Sequence, residues 1–235
     1  MMDLSLPAGN DASTEAVVAG SRLRLCAWCE RPIKAKPRYL PKSIYCRRRC
    51  RQAAWRIRQR FKIEERNARP MKMAYCDPPY PGMAWMYKDQ PTYKGEVDHA
   101  ELIASLVDQF DGWALSTSAR ALATILPLCP PEARVCAWVK PIGASSQTFG
   151  IHNCWEPLIV VPGRQLRGGK RDWLSAQPAK LGGSKLIGRK PELFCTWMFS
   201  LLGLLPGDEL DDLFPGSGIV GRAWKAASRR STSDA

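Results

Sequence analysis

The stretch Met71-Lys72-Met73-Ala74-Tyr75-Cys76-Asp77-Pro78-Pro79-Tyr80 decides how the rest of the chain is read. Lys72–Cys76 is an apolar run of strand length, and such a run bounded by a turn signal reads as a buried strand. The turn follows at once, because each proline fixes its own φ near −65° and two in succession leave few alternative conformers. A carboxylate, Asp77, is thereby held at the carboxyl end of a strand. Working outward, residues 99–110 place Leu102, Ile103, Leu106 and Phe110 on one helical face. Residues 113–117 predict a second strand and 119–126 a second helix. Arg134–Val139 and Trp155–Val161 predict two more strands. Residues 191–202 predict a helix, 209–214 a strand and 219–227 a last helix. Strands alternating with helices imply an α/β fold with a mostly parallel sheet. Whether the strand at Trp155–Val161 runs antiparallel stays open.

A second turn matches the first. Asp212-Leu213-Phe214-Pro215-Gly216-Ser217-Gly218 follows the acidic turn Gly207-Asp208-Glu209 and its strand. Glycines at a strand-to-helix turn let a ligand approach the backbone closely. Between the two motifs, residues 164–190 interrupt the alternation with a glycine-rich, basic stretch that includes Arg164, Arg167, Lys170 and Arg171. So long a loop inside a compact domain is usually functional or disordered. Its charge suits an arm closing on a phosphate backbone, and a merely mobile loop is the alternative.

The amino-terminal third is different in kind. Cys26-Ala27-Trp28-Cys29 and Cys46-Arg47-Arg48-Arg49-Cys50 are two close cysteine pairs, and four thiolates so spaced can converge on one tetrahedral zinc ion. A block this short builds little core unaided, so a metal would staple it. After Cys50, residues 51–61 read as a helix with Ala54, Ile57 and Phe61 on one side. Arg47, Arg48, Arg49, Arg51 and Arg58 could lie along phosphates. The chain turns polar through 64–70, and the domain boundary is placed there. The expected organisation is a disordered tail over 1–20, a basic four-cysteine zinc module over 21–69, a catalytic domain over 70–227 and a tail over 228–235.

Charge supports that division. The net charge is +13, and residues 1–70 hold 17 Lys/Arg against 6 Asp/Glu, whereas 71–235 hold 18 against 16. A basic segment interleaved with cysteines and aromatics points to a polyanion partner, nucleic acid being the commonest. No apolar stretch approaches the ~20 residues of a membrane span. Residues 1–20 lack a basic start followed by an apolar block, so no signal peptide is expected. Nine cysteines without a secretion signal suggest a reducing compartment. Cys76, Cys129, Cys136, Cys154 and Cys195 lie in apolar contexts and read as small core residues.

The two turns, in this order, resemble those of the S-adenosylmethionine-dependent N6-adenine and N4-cytosine DNA methyltransferases of the permuted type, in which the catalytic motif precedes the glycine motif. The resemblance spans roughly residues 71–227. Leu115-Ser116-Thr117-Ser118, Trp138-Val139-Lys140-Pro141, Trp155-Glu156-Pro157-Leu158 and Arg189-Lys190-Pro191 fall in the family's order. It implies a Rossmann-like methyltransferase fold and a soluble enzyme of a bacterial or phage-infected cytoplasm. It implies double-stranded DNA as partner, with the target base flipped out. Asp77, Pro78, Pro79 and Tyr80 are the expected catalytic residues. The carboxylate and a proline carbonyl would take the hydrogens of the exocyclic amine, and the tyrosine ring would stack on the base. Asp212, Phe214, Gly216, Ser217, Gly218, Lys190 and Pro191 are expected to hold S-adenosylmethionine, with Asp212 taking the methionine ammonium. Asp at position 77 is typical of the adenine enzymes. The amino-terminal cysteines resemble treble-clef or ribbon-type zinc modules.

The chain departs from the family at two points. Leu213 stands where a proline is common, and only residues 228–235 follow the last helix, where most relatives have a further strand ending in an acidic ribose-binding residue. Two other readings stay open: a zinc-dependent DNA-binding protein with an inactive methyltransferase fold, and an RNA adenine methyltransferase.

Overall fold

The computed structural model describes residues 15–18, 21–33, 44–89, 95–141, 147–148, 150–166, 168–178 and 190–230. The chain divides into two compact units, Met1–Arg66 and Asn67–Ala235.

In the first unit, β1 (Glu15–Val18) pairs antiparallel with β2 (Ser21–Arg24), and Leu25 bridges to Pro32. Residues 15–18 are thus in a strand, although the sequence reading ends its tail at 20; Val17 and Val18 are β-branched and favour the pleat. The helix α1 (Arg48–Ala68) extends beyond the expected 51–61 at both ends. Only Cys50 and Ala54 of this helix are buried, and Phe61 is exposed, so the expected apolar stripe is shorter than its spacing suggests. Among the described residues of this unit, Cys26, Ile33 and Cys50 form a buried cluster, with Cys29, Tyr45 and Cys46 packed around them.

The second unit is an α/β layer structure. In chain order its elements are β3 (Lys72–Cys76), α2 (His99–Gln109), β4 (Gly112–Ser116), α3 (Leu122–Ile125) and β5 (Arg134–Val139). Then come a small hairpin of β6 (Gln147–Thr148) and β7 (Ile151–His152), β8 (Trp155–Val161), β9 (Trp173–Ser175), α4 (Glu192–Leu202), β10 (Glu209–Asp212) and α5 (Ile219–Arg230). The central sheet has the order β10-β3-β4-β8-β5-β9. Pairing is parallel for β10/β3, β3/β4 and β5/β9, while β8 runs antiparallel to both β4 and β5. The direction left open by the sequence is therefore antiparallel. The link from β5 to β8 agrees, since among its described residues it carries only the β6/β7 hairpin and no crossover helix. The strand β9 lies inside the stretch read as a loop; three residues are too few for a periodic signal.

Each face of the sheet is covered. Met71, Met73, Tyr75, Cys136, Trp138, Leu158 and Val160 pack on α4 and α5. Ala74, Cys76, Trp113, Leu115 and Ile159 pack on α2 and α3. From β3 the chain moves by α2 towards β4, whereas β10 on its other side is reached and left through α4 and α5. The order in which strands are added to the sheet thus reverses between β3 and β10, and open α/β sheets bind ligands at the carboxyl ends of strands at such a switch point.

At the opposite strand ends, Arg164 and Asp208 form a buried ion pair, their side chains 5% and 1% exposed. Arg164 Nη2 donates to Asp208 Oδ1 at 2.7 Å and to the Arg69 carbonyl at 2.9 Å. Its other nitrogens reach the carbonyls of Asn67 and Gly203, each at 3.1 Å. Asp208 accepts from the Met71 and Leu205 amides at 2.9 and 2.7 Å. Arg164 is thus a staple at the base of the sheet. Its assignment to a phosphate-binding arm is corrected, because a guanidinium with these partners is not available to a ligand.

Candidate active site

Register brings the two turns together. Asp212 pairs with Tyr75 across the β10/β3 ladder, and the Leu213 amide donates to the Tyr75 carbonyl at 3.0 Å. Asp77 and Asp212 therefore leave neighbouring parallel strands at the same edge of the sheet.

Asp77 faces a buried cation. Lys190 Nζ lies 3.1 Å from the Asp77 carboxylate and 3.2 Å from Glu156 Oε2. The lysine side chain is only 4% exposed. Its ammonium also sits 5.3 Å from the Trp138 ring centroid and 5.6 Å from that of Phe194. Lys140 pairs with the other oxygen of Glu156, and its ammonium lies 4.8 Å from the Trp138 centroid. The Tyr80 hydroxyl donates to Glu156 Oε2 at 3.4 Å. Beneath them, Tyr75 and Ser116 hydroxyls are 3.0 Å apart.

These contacts set the charge states. Burial pushes Asp77 above the ordinary carboxylate range, and Lys190 opposes it. Burial would discharge Lys190, but Asp77, the two tyrosines and Glu156 hold it well above its usual value. Burial also works against the Glu156 anion, yet Lys190 and Lys140 bring it below its usual value. Lys190 is cationic and shared between two carboxylates, so Asp77 receives only part of its field and stays the more basic of the two. Burial holds the Tyr80 hydroxyl protonated.

The glycine turn offers a second kind of surface. Gly216 and Gly218 take φ of 45° and 68°, a region that side chains with a Cβ rarely adopt. The turn is fixed by Gly218 N–H to the Pro215 carbonyl and by Arg222 Nη1 to the Ser217 carbonyl at 2.9 Å. Asp212 Oδ1 is buried without a hydrogen-bond partner among the described residues. Burial and the nearby Asp77 raise the Asp212 carboxyl to about 6, against a hydrogen bond from the Phe214 amide. A buried acceptor left open is explained by a ligand or water, and this one suits a cationic group. Phe214, by contrast, packs on the core cluster beneath α2, so its ring serves the fold. Pro191 caps α4, accepting from the Phe194 amide at 3.0 Å.

The structure thus gathers Asp77, Pro78, Tyr80, Lys190 and Asp212. Lys190, expected at the cofactor, lies against the Asp77 carboxylate. Glu156 and Lys140 were seen in sequence only as landmarks. Their place at the end of the β5/β8 pair was the available signal, since the register sets Glu156 opposite Trp138 beside Lys140.

In the first unit, the sulfur atoms of Cys26, Cys29, Cys46 and Cys50 all lie within 4.8 Å of one another. Cys29 to Cys46, Cys46 to Cys50 and Cys50 to Cys29 measure 3.5, 3.6 and 3.9 Å. Sulfurs around a tetrahedral zinc at ~2.3 Å stand about 3.8 Å apart. A groove of about 480 Å³ opens beside them, lined by Trp28, Arg31, Arg47 and Arg49. Arg48 and Arg51 are exposed. Arg58 is exposed and already donates to the Tyr45 hydroxyl at 2.6 Å. In the second unit, Lys170 and Arg171 are exposed, the latter with its guanidinium 5.7 Å from the Trp173 ring; Arg167 lies outside the described residues.

No family model matches this chain, and no curated protein does. Among solved structures it is similar to the crystal structure of the M1.HpyAVI–SAM complex, at 18% identity and a TM-score of 0.44 over 74% of this chain and 85% of that one. It is also similar to the crystal structure of M1.HpyAVI, at 18% identity and a TM-score of 0.43 over 74% and 84% of the two chains.

Proposed function

We propose that this chain transfers a methyl group from S-adenosylmethionine to the exocyclic amino group of a base in DNA, adenine N6. The observation that carries the reading is the parallel pairing of β3 with β10. It sets the Asp-Pro-Pro-Tyr turn beside a glycine turn whose aspartate has an open, buried oxygen. When bound, S-adenosylmethionine supplies an electrophilic methyl group; Asp212, Gly216, Ser217 and Gly218 would hold it.

The chain's residues do the rest. An exocyclic amine is a poor nucleophile because its lone pair is delocalised into the ring. The Asp77 carboxylate and the Pro78 carbonyl accept its two hydrogens, which favours the pyramidal nitrogen. Lys190 keeps Asp77 anionic despite burial, while the raised basicity of Asp77 lets it take the proton the product nitrogen releases. Tyr80 offers a ring to a base taken out of the duplex. Stacking of ~1–3 kcal/mol offsets part of the few kcal/mol that extrusion costs. Glu156 holds both Tyr80 and Lys190, so it positions the stacking ring and the cation together. The exposed arginines around the cysteine cluster supply sequence-independent phosphate contacts, and one zinc ion would hold that cluster.

The test is methyl transfer to random-sequence DNA followed by nucleoside analysis. N6-methyladenine is the expected product, and N4-methylcytosine would move the assignment to the other base. Asp77→Ala should abolish transfer while leaving S-adenosylmethionine binding intact. Near-normal turnover by the folded variant would remove Asp77 from the mechanism.

A further inference from the structure

The turn after Tyr80 exposes side chains that folded domains ordinarily bury. Met83, Trp85 and Met86 are all exposed within four residues, Trp85 by 62%. A single exposed apolar residue needs no explanation, but a contiguous group marks an interaction surface. The turn is firmly held. The Met83 amide donates to the Tyr80 carbonyl at 2.8 Å and the Met86 amide to the Met83 carbonyl at 3.1 Å. The Glu96 carboxylate accepts from the Gly82 and Ala84 amides, each at 3.2 Å, and Ala84 is buried beneath. Tyr87, two residues past Trp85, is exposed as well, though burial around its hydroxyl and the charges of Asp77 and Glu156 raise that group's pKa. One held turn therefore follows directly on Tyr80 and carries a run of exposed apolar side chains from Met83 to Tyr87.

We infer that Trp85 enters the gap left in the duplex by the extruded target base and stacks on the neighbouring base pair. The inference rests on the base-flipping reading of the site. Extrusion opens a slot one base thick, about 3.4 Å along the strand, and a flat indole fits such a slot. Apolar wedges between base steps are a general means of holding a distorted duplex. The occupant is a base pair because the ledge is hydrogen-bonded to Tyr80, whose ring takes the target base in that reading, and because its residues offer flat and polarizable faces with no charge until Lys88.

The experiment measures single-turnover methyl transfer by the full chain and by Trp85→Ala and Trp85→Phe. Three substrates are compared: a fully paired duplex, the same duplex with an abasic site opposite the target, and the target strand alone. Trp85→Ala should slow the paired duplex by roughly tenfold to a hundredfold, the range that loss of one stacked ring gives. Most of that loss should disappear on the abasic duplex and the single strand. Trp85→Phe should fall between parent and alanine variant, and S-adenosylmethionine affinity should not change. Equal losses on all three substrates would overturn the inference, as would an unaffected duplex rate or weakened S-adenosylmethionine binding. If the unaltered chain methylates none of the three, the enzyme reading itself falls and this inference with it, a result distinct from transfer that ignores residue 85.

Discussion

Asp208→Ala tests whether the base of the sheet is held as the structure indicates. The substitution leaves the Arg164 guanidinium buried without its counter-ion. Breaking a buried pair by removing one partner costs roughly 3–5 kcal/mol. Asp208 also accepts from the Met71 and Leu205 amides, and each buried donor left unpaired adds about 1–3 kcal/mol. The expected loss is at least ~5 kcal/mol, comparable with the whole stability of an ordinary domain, about 5–15 kcal/mol. For a unit of this size each kcal/mol lowers Tm by about 2–4 °C, so Tm should fall by at least ~10 °C. Urea unfolding followed by far-UV circular dichroism measures the change. The double variant Arg164→Met with Asp208→Leu should recover only the share due to the uncompensated guanidinium, since an apolar pair carries no buried charge but leaves the Met71 and Leu205 amides unpaired. A loss below ~1 kcal/mol in Asp208→Ala would refute the staple, because it would mean that Arg164 finds other partners or water at no cost.

Three further outcomes are expected. Transfer needs the Asp77 anion, so activity is present above the Asp77 pKa and lost as pH falls through it; with burial raising that value and Lys190 opposing it, Lys190→Met should move the acidic limb of the rate profile to higher pH, and an unmoved limb would separate Lys190 from Asp77. Burial and Asp77 raise the Asp212 carboxyl to about 6 in the fold, against about 3.9 unfolded, so its contribution is present below the unfolded value and lost as pH rises through the folded one. Asp212→Asn should accordingly raise Tm at pH 8 while weakening S-adenosylmethionine binding in calorimetry; a destabilised variant contradicts the assigned burial penalty. Purified protein should contain about one zinc per chain, lost on Cys46→Ser, and chelation should melt the Met1–Arg66 unit while the second unit keeps its transition, since the few residues buried among those described, two of them cysteines of the cluster, offer little apolar core without the metal; metal-free protein with an intact first unit would dispose of the zinc assignment.

Much of the sheet was legible because its strands announce themselves locally. Lys72–Cys76, Arg134–Val139 and Trp155–Val161 are apolar runs ended by prolines or charge, and their bounds agree with the structure residue for residue. What stayed hidden depends on pairing between distant segments. Arg164 and Lys190 both lie in a basic, glycine-rich stretch, and nothing nearby shows that Asp208 or Asp77 will neutralise them. Phe61 keeps helical spacing with Ala54, yet α1 offers only Cys50 and Ala54 to a buried surface. Glu156 follows an aromatic at the start of a strand, and its link to Tyr80 exists only once β8 lies between β4 and β5.

The neighbouring positions of β3 and β10 also have a meaning for synthesis. Asp212 leaves the ribosome about 135 residues after Asp77, and at roughly 5–20 residues per second that is on the order of 7–27 s. Through that interval the nascent chain carries its Asp-Pro-Pro-Tyr turn without the glycine turn that will stand beside it. One side of β3, a strand whose Met73, Ala74, Tyr75 and Cys76 become fully buried, has meanwhile nothing to pair with. An unpaired apolar edge is a template for another chain. The same backbone groups that later receive β10 and complete the cleft are thus, during translation, the part of the nascent chain that most needs shielding.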